Sequence, residues 1–113
     1  MKRIFYVSRF SRRLSPEDLD AIHTASAKNN RAREITGFLV CLGDTFFQVI
    51  EGPEEAVDEL YFKRILPDPR HQDVVFIRSD NEVSKRMFPD WRMKIFNLNE
   101  HAETLPFAFR EML

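Results

Sequence analysis

The sequence predicts an α+β domain of ferredoxin-like type, βαββαββ in order, with a five-stranded mixed sheet and two helices on one face. Three observations predict it. Short apolar, strand-sized runs are separated by two longer stretches of helical periodicity. Each longer stretch opens on its own start signal, Ser15-Pro16-Glu17-Asp18 and Gly52-Pro53-Glu54-Glu55. The first six elements follow the order of a split βαβ pair. A length of 113 residues suits one such domain.

The elements follow in order. Residues 2–9, KRIFYVSR, read as a strand with Ile4, Tyr6 and Ser8 on one face and Phe5 and Val7 on the other. Ser15 is placed to cap the first helix, with Pro16 at its first position and acids in the first turn; the helix should run to about Asn30. Residues 34–42 and 45–51 read as two strands joined at Gly43-Asp44, an antiparallel hairpin. Val57, Leu60, Tyr61, Arg64 and Ile65 recur at helical spacing in the second helix, which Pro67 and Pro69 stop. Residues 73–78 make a fourth strand, residues 80–87 a polar connection, and residues 91–96 a fifth strand. The domain is expected to occupy residues 1–98. Residues 99–113 form a tail expected to start a helix, either covering the second sheet face or leading to an effector. That second face is itself apolar, so it needs a cover, and a homodimer is the other candidate.

Composition narrows the function. Net charge is −1, which argues against a dedicated nucleic-acid binder. The N-terminal MKRIFYVSRFSRR has no continuous apolar stretch, so it reads as neither signal peptide nor membrane span. A single cysteine, Cys41, builds no disulfide framework or thiolate metal site and points to a reducing, cytoplasmic setting.

Polar residues stand where apolar ones belong. At about 100° per residue, Ser26 and Asn30 fall on the same helical stripe as Leu19 and Ile22, the stripe that should meet the sheet. Gln48 interrupts the apolar run Phe46–Ile50. Each has a bland explanation in a local hydrogen bond, with Asn30 as a helix C-cap. Together with Tyr6 they describe something else. The first and third strands of a split βαβ sheet are adjacent and central, so Tyr6 and Gln48 should lie side by side under the first helix. A polar cluster walled by Ile and Phe suits a flat ligand with hydrogen-bonding edges. Arg70 and His71, after the second helix, can add donors.

These residues carry a resemblance. The segments FYVSRFS (5–11), NNRAREITG (29–37), FFQVIEG (46–52), YFKRILPDPRH (61–71) and MFPDWRMK (87–94) resemble BLUF domains, the blue-light sensors that use flavin. The wording RMFPDW and NLNE is similar to the BLUF domains of photoactivated adenylyl cyclases. The resemblance implies noncovalent flavin, FAD or else FMN or riboflavin, between the helices and the sheet. It implies Tyr6 as redox-active tyrosine and Gln48 as switching glutamine. Light would drive an electron and a proton from Tyr6, through Gln48, and leave the amide rotated or tautomerised. Trp91 and Met93 match the light-responsive pair on the fifth strand, and either is expected to face the ring. Asn30, Gln48, Ser26, Ser8, Arg70, His71, Asp68 and Ile35 match positions at or beside the flavin. The implied protein is a sensor rather than an enzyme. Its output would lie in an effector domain or partner, and neither membrane nor nucleic acid is expected. The alternative on this fold is an acylphosphatase-type enzyme. It needs a glycine-rich phosphate loop, and the chain has three glycines, Gly37, Gly43 and Gly52, in no such loop. A purely structural interaction domain is the third reading.

Overall fold

The computed structural model describes residues 1–12, 14–69 and 71–98. Its elements are β1 (Lys2–Phe10), α1 (Pro16–Ala32), β2 (Thr36–Leu42), β3 (Thr45–Gly52), α2 (Glu54–Asp58) continued by a π-helical stretch (Glu59–Ile65), β4 (His71–Asp80) and β5 (Lys94–Asn97). One sheet holds all five strands in the order β4-β1-β3-β2-β5. β3 is antiparallel to both β1 and β2, β4 is antiparallel to β1, and β5 is parallel to β2. This is the predicted mixed sheet, with β1 and β3 paired at its middle.

α1 begins as its sequence dictates. The Asp18 N–H donates to Ser15 Oγ at 3.1 Å and the Ser15 N–H donates to Asp18 Oδ2 at 2.8 Å, a capping box that satisfies two helix-end donors. Its end differs from expectation. The helix passes Asn30 and runs to Ala32, and Glu34 then takes a left-handed φ of 59°. The Ile35 N–H donates to the Asn30 carbonyl (2.8 Å) and the Glu34 N–H to the Arg31 carbonyl (3.4 Å), a Schellman closure with Glu where Gly is usual. A residue in that conformation cannot begin a strand, so β2 starts at Thr36 rather than at residue 34. Asn30 is therefore no C-cap, and its side chain turns inward.

Helical spacing in the second helix predicted an ordinary α-helix. Beyond Asp58 it widens instead, and the Leu66 N–H donates five residues back to the Tyr61 carbonyl at 2.9 Å. π turns are rare and concentrate at functional sites. Here Tyr61 is buried, with its ring edge-on to Tyr6 at 5.4 Å.

The fifth strand is also shorter than predicted. It starts at Lys94, because the carbonyls just before it are bound outside the regular register with β2. The Gly37 N–H donates to the Trp91 carbonyl at 2.8 Å, and Asn30 Nδ2 donates to the Arg92 carbonyl at 2.6 Å.

Alternation along the strands builds two cores. The helix-side core gathers Ile4, Tyr6, Leu39, Phe46, Ile50 and Val57. On the far face Phe38, Val40, Val49 and Leu98 pack with Phe5, Phe47, Phe88, Trp91 and Phe96. The predicted need for a cover is thus met in part by the segment that carries Phe88 and Trp91. Val75 and Ile77 of β4 stay more than half exposed, at 57% and 51%. The expected tail helix falls outside the described residues.

Candidate functional site

A cavity of ≈ 590 Å³ lies between α1, the π-helical stretch and the helix side of the sheet. That size lies in the range of roughly 300–1,000 Å³ typical of cofactor sites. Its floor carries Tyr6 from β1 and Gln48 from β3, which stand opposite each other in the ladder. Ile22, Leu39, Phe46 and Ile65 supply apolar wall. A second depression, along Arg3 and residues 79–85, is a wide, polar surface groove.

The polar groups of the cavity form a connected set. The Tyr6 hydroxyl donates to Gln48 Oε1. Gln48 Nε2 in turn reaches Met93 Sδ at 3.5 Å. Tyr6 is 1% exposed, and burial pushes its phenol well above the ordinary value, with smaller contributions from Tyr61 and Asp68. Burial also raises the Tyr61 phenol. Both groups are therefore neutral hydrogen-bond donors at physiological pH. At the mouth, Arg12 forks onto Asp18 at 2.6 and 2.9 Å and holds its carboxyl below the usual range, with help from the Ser15 cap.

The predicted site residues come together unequally. Tyr6, Gln48, Asn30, Ser26, Asp68, His71 and Met93 all line the cavity. Ser8 does not. It is buried behind His71 and hydrogen-bonds to His71 Nδ1, so it orients the imidazole. Ile35 does not line the cavity either; it is fully buried in the core beside it, just after the Schellman closure. Arg70 lies outside the described residues. Trp91 and Met93 part company. In a strand, residues two apart share a face. Here the segment precedes β5, Met93 enters the cavity, and Trp91 stacks on Phe88 across the far face at 5.3 Å and 10°.

Sequence reasoning missed Asn29 and Arg64 in the lining. Asn29 does not stand out, since it sits in a charged helical surface where polar residues are ordinary, and Arg64, though on the apolar spacing, reads with Lys63 as the basic end of the helix.

The donors and acceptors fit a flavin. A flat ring in the cavity would meet amides from Asn30 and Gln48 and the imidazole of His71, with carbon above and below. The model of the family described as "Sensors of blue-light using FAD" matches residues 1–94. The chain belongs to the BLUF family. The photoactivated adenylate cyclase subunit beta of Euglena gracilis is 37% identical over 89 residues, covering 78% of this chain and 10% of the relative. Among solved structures, a bacterial light-regulated adenylyl cyclase superposes with a TM-score of 0.88 at 41% identity, over 98% of this chain and 32% of that one. The BLUF protein BlrB, in its dark state, superposes with a TM-score of 0.81 at 37% identity, over 97% of this chain and 82% of that one. The chain spans about a tenth of the length of the photoactivated adenylate cyclase subunits it matches. The family consists of flavin-binding blue-light sensors, and the acylphosphatase alternative finds no support in these matches.

Proposed function

We propose that this BLUF domain senses blue light through the Tyr6–Gln48 pair and reports it through the segment that carries Met93 and Trp91. One observation carries the reading. A tyrosine and a glutamine, buried on the two central strands, are hydrogen-bonded to each other inside a cofactor-sized cavity. Bound flavin supplies the blue-light absorption and the excited-state electron affinity. The chain supplies the rest. Tyr6 would be the electron donor to that bound group, with its phenol proton free to leave along the existing hydrogen bond toward Gln48 Oε1. When both return, the Gln48 amide has rotated or tautomerised. Its Nε2 contact with Met93 Sδ then changes, and the segment ending in Met93 feels the change. Asn30 ties the same segment to α1 through the Arg92 carbonyl. Dry walls matter because a water on the Tyr6 hydroxyl would compete for its proton.

Asn30, Ser26, Asp68, His71 and, by resemblance, Arg70 are proposed to hold the flavin, with Ser8 and Ile35 supporting from behind. Residues 1–98 form the sensor, and residues 99–113 lead to an effector or partner. The chain itself is read as noncatalytic. Its similarity to photoactivated adenylate cyclase subunits supports a cyclase-type effector outside it. The exposed Val75 and Ile77 support a homodimer. Among the described residues no helix is long and apolar enough to cross a membrane. The reducing, cytoplasmic setting remains the reading drawn from a sequence with one cysteine, Cys41.

The test is Tyr6→Phe. The variant should bind flavin and lose the light-induced red shift of its absorption. A shift of normal size in this variant would remove Tyr6 from the mechanism.

A further inference from the structure

Glu51 is 0% exposed, at the end of β3 on the far face of the sheet. It stands opposite Arg3 on β1 and Thr36 on β2. Its carboxylate receives four donors. Arg3 Nε (2.9 Å) and the Met87 N–H (3.0 Å) reach Oε2; the Phe88 N–H (2.7 Å) and Thr36 Oγ1 (3.3 Å) reach Oε1. A carboxylate has about four lone-pair sites, so this one is fully used. Arg86 completes the cluster. It donates to Thr36 Oγ1 (2.9 Å), to the Glu51 carbonyl (3.2 Å) and to the Glu34 carbonyl (2.7 Å).

A buried ion pair is a poor way to gain stability, since apolar replacements often do as well. Glu51 does something an apolar side chain cannot. It takes two successive backbone N–H groups of the segment that runs on to Trp91 and Met93. β3 thus grips that segment at both ends: Glu51 holds Met87 and Phe88 from one sheet face, and Gln48 meets Met93 from the other. Between them the Trp91 and Arg92 carbonyls are bound by Gly37 and Asn30. A slip of one residue would present Arg92 or Lys94 to the cavity instead of Met93.

We propose that Glu51 is a positioning residue of the photoresponse: it anchors the segment so that a rearranged Gln48 moves Met93 and Trp91 against a fixed point. This rests on the sensor reading above. The test uses the flavin-loaded chain with Glu51→Gln, whose amide cannot accept from all four donors. Trp91 is the only tryptophan, so fluorescence reports this segment alone. The variant should bind flavin and keep its red shift. Its light-induced change in Trp91 fluorescence should fall clearly, because losing one such hydrogen bond weakens the hold on the segment by about threefold or more. Exchange of the Met87 and Phe88 amides should speed up in parallel, and Glu51→Asp should restore part of both. A variant with lowered Tm but an unchanged Trp91 response overturns the proposal. If Glu51→Gln fails to fold, Thr36→Val removes one of the four donors and is read the same way. A wild-type protein with no red shift would instead defeat the sensor reading, and this inference with it.

Discussion

Gln48→Leu separates structure from function at the heart of the site. The substitution keeps side-chain volume near that of the amide and leaves β3 intact. Two terms then oppose each other. The Tyr6 hydroxyl, in a residue 1% exposed, loses its acceptor, which costs about 1–3 kcal/mol. Replacing a buried amide by carbon returns about 1–3 kcal/mol on protein-derived scales. The two terms largely offset each other and leave a net within about 2 kcal/mol of zero, so Tm should move by no more than about 16 °C for a domain near this size. The photochemistry has no such compensation, because leucine can neither relay the Tyr6 proton nor change its hydrogen bonding. The assays are thermal melting of the apoprotein and light-minus-dark absorption of the flavin-loaded protein. Near-native melting with an abolished red shift is expected. A normal red shift would refute the role of Gln48. A loss above about 4 kcal/mol would show that the pair is chiefly a structural bond.

Three further outcomes follow from the same structure. Both tyrosines of the chain, Tyr6 and Tyr61, have raised phenol values, so they stay protonated in the native state past the ordinary value of about 10. Their contribution to stability is complete below that pH and is lost as pH rises above it, because only the unfolded chain ionises there. Tyrosinate absorbance in an alkaline titration should therefore appear together with unfolding; early ionisation of the folded protein would contradict the burial argument. Gly37→Ala should sharply reduce soluble, folded protein, because its Cβ would collide with the Val49 carbonyl oxygen, a backbone atom that cannot swing away. Wild-type yield and melting would rule that out. Ser15→Ala removes one arm of the capping box and should cost about 1 kcal/mol in chemical denaturation, with the red shift untouched.

Much of the site was legible because it broke a pattern. Gln48 in an apolar strand and Asn30 on an apolar stripe each violate a periodicity, and the split βαβ order places Gln48 beside Tyr6. The structure bears out that adjacency residue for residue. What failed to show had a common cause: the choice of partner for a backbone hydrogen bond leaves no trace in side-chain periodicity. The π turn at Tyr61, the Schellman closure at Glu34 and the late start of β5 all depend on where carbonyls and N–H groups find partners. The separation of Trp91 from Met93 follows from the last of these, since a true strand would have put both on one face. Glu51 was within reach. It is a charge on the face that Phe47 and Val49 make apolar, and the logic that singled out Gln48 applies to it equally. Standing last before Gly52-Pro53, it reads as the polar end of a strand.

The central claim is that this chain binds flavin and answers blue light by rearranging the hydrogen bonds around Gln48. The absorption spectrum of the purified, flavin-loaded protein tests it most directly, recorded in darkness, after blue light and again after dark recovery. The account predicts a yellow protein whose band moves slightly to the red and returns. A protein that takes up no flavin, or one whose flavin spectrum is the same before and after illumination, would contradict it.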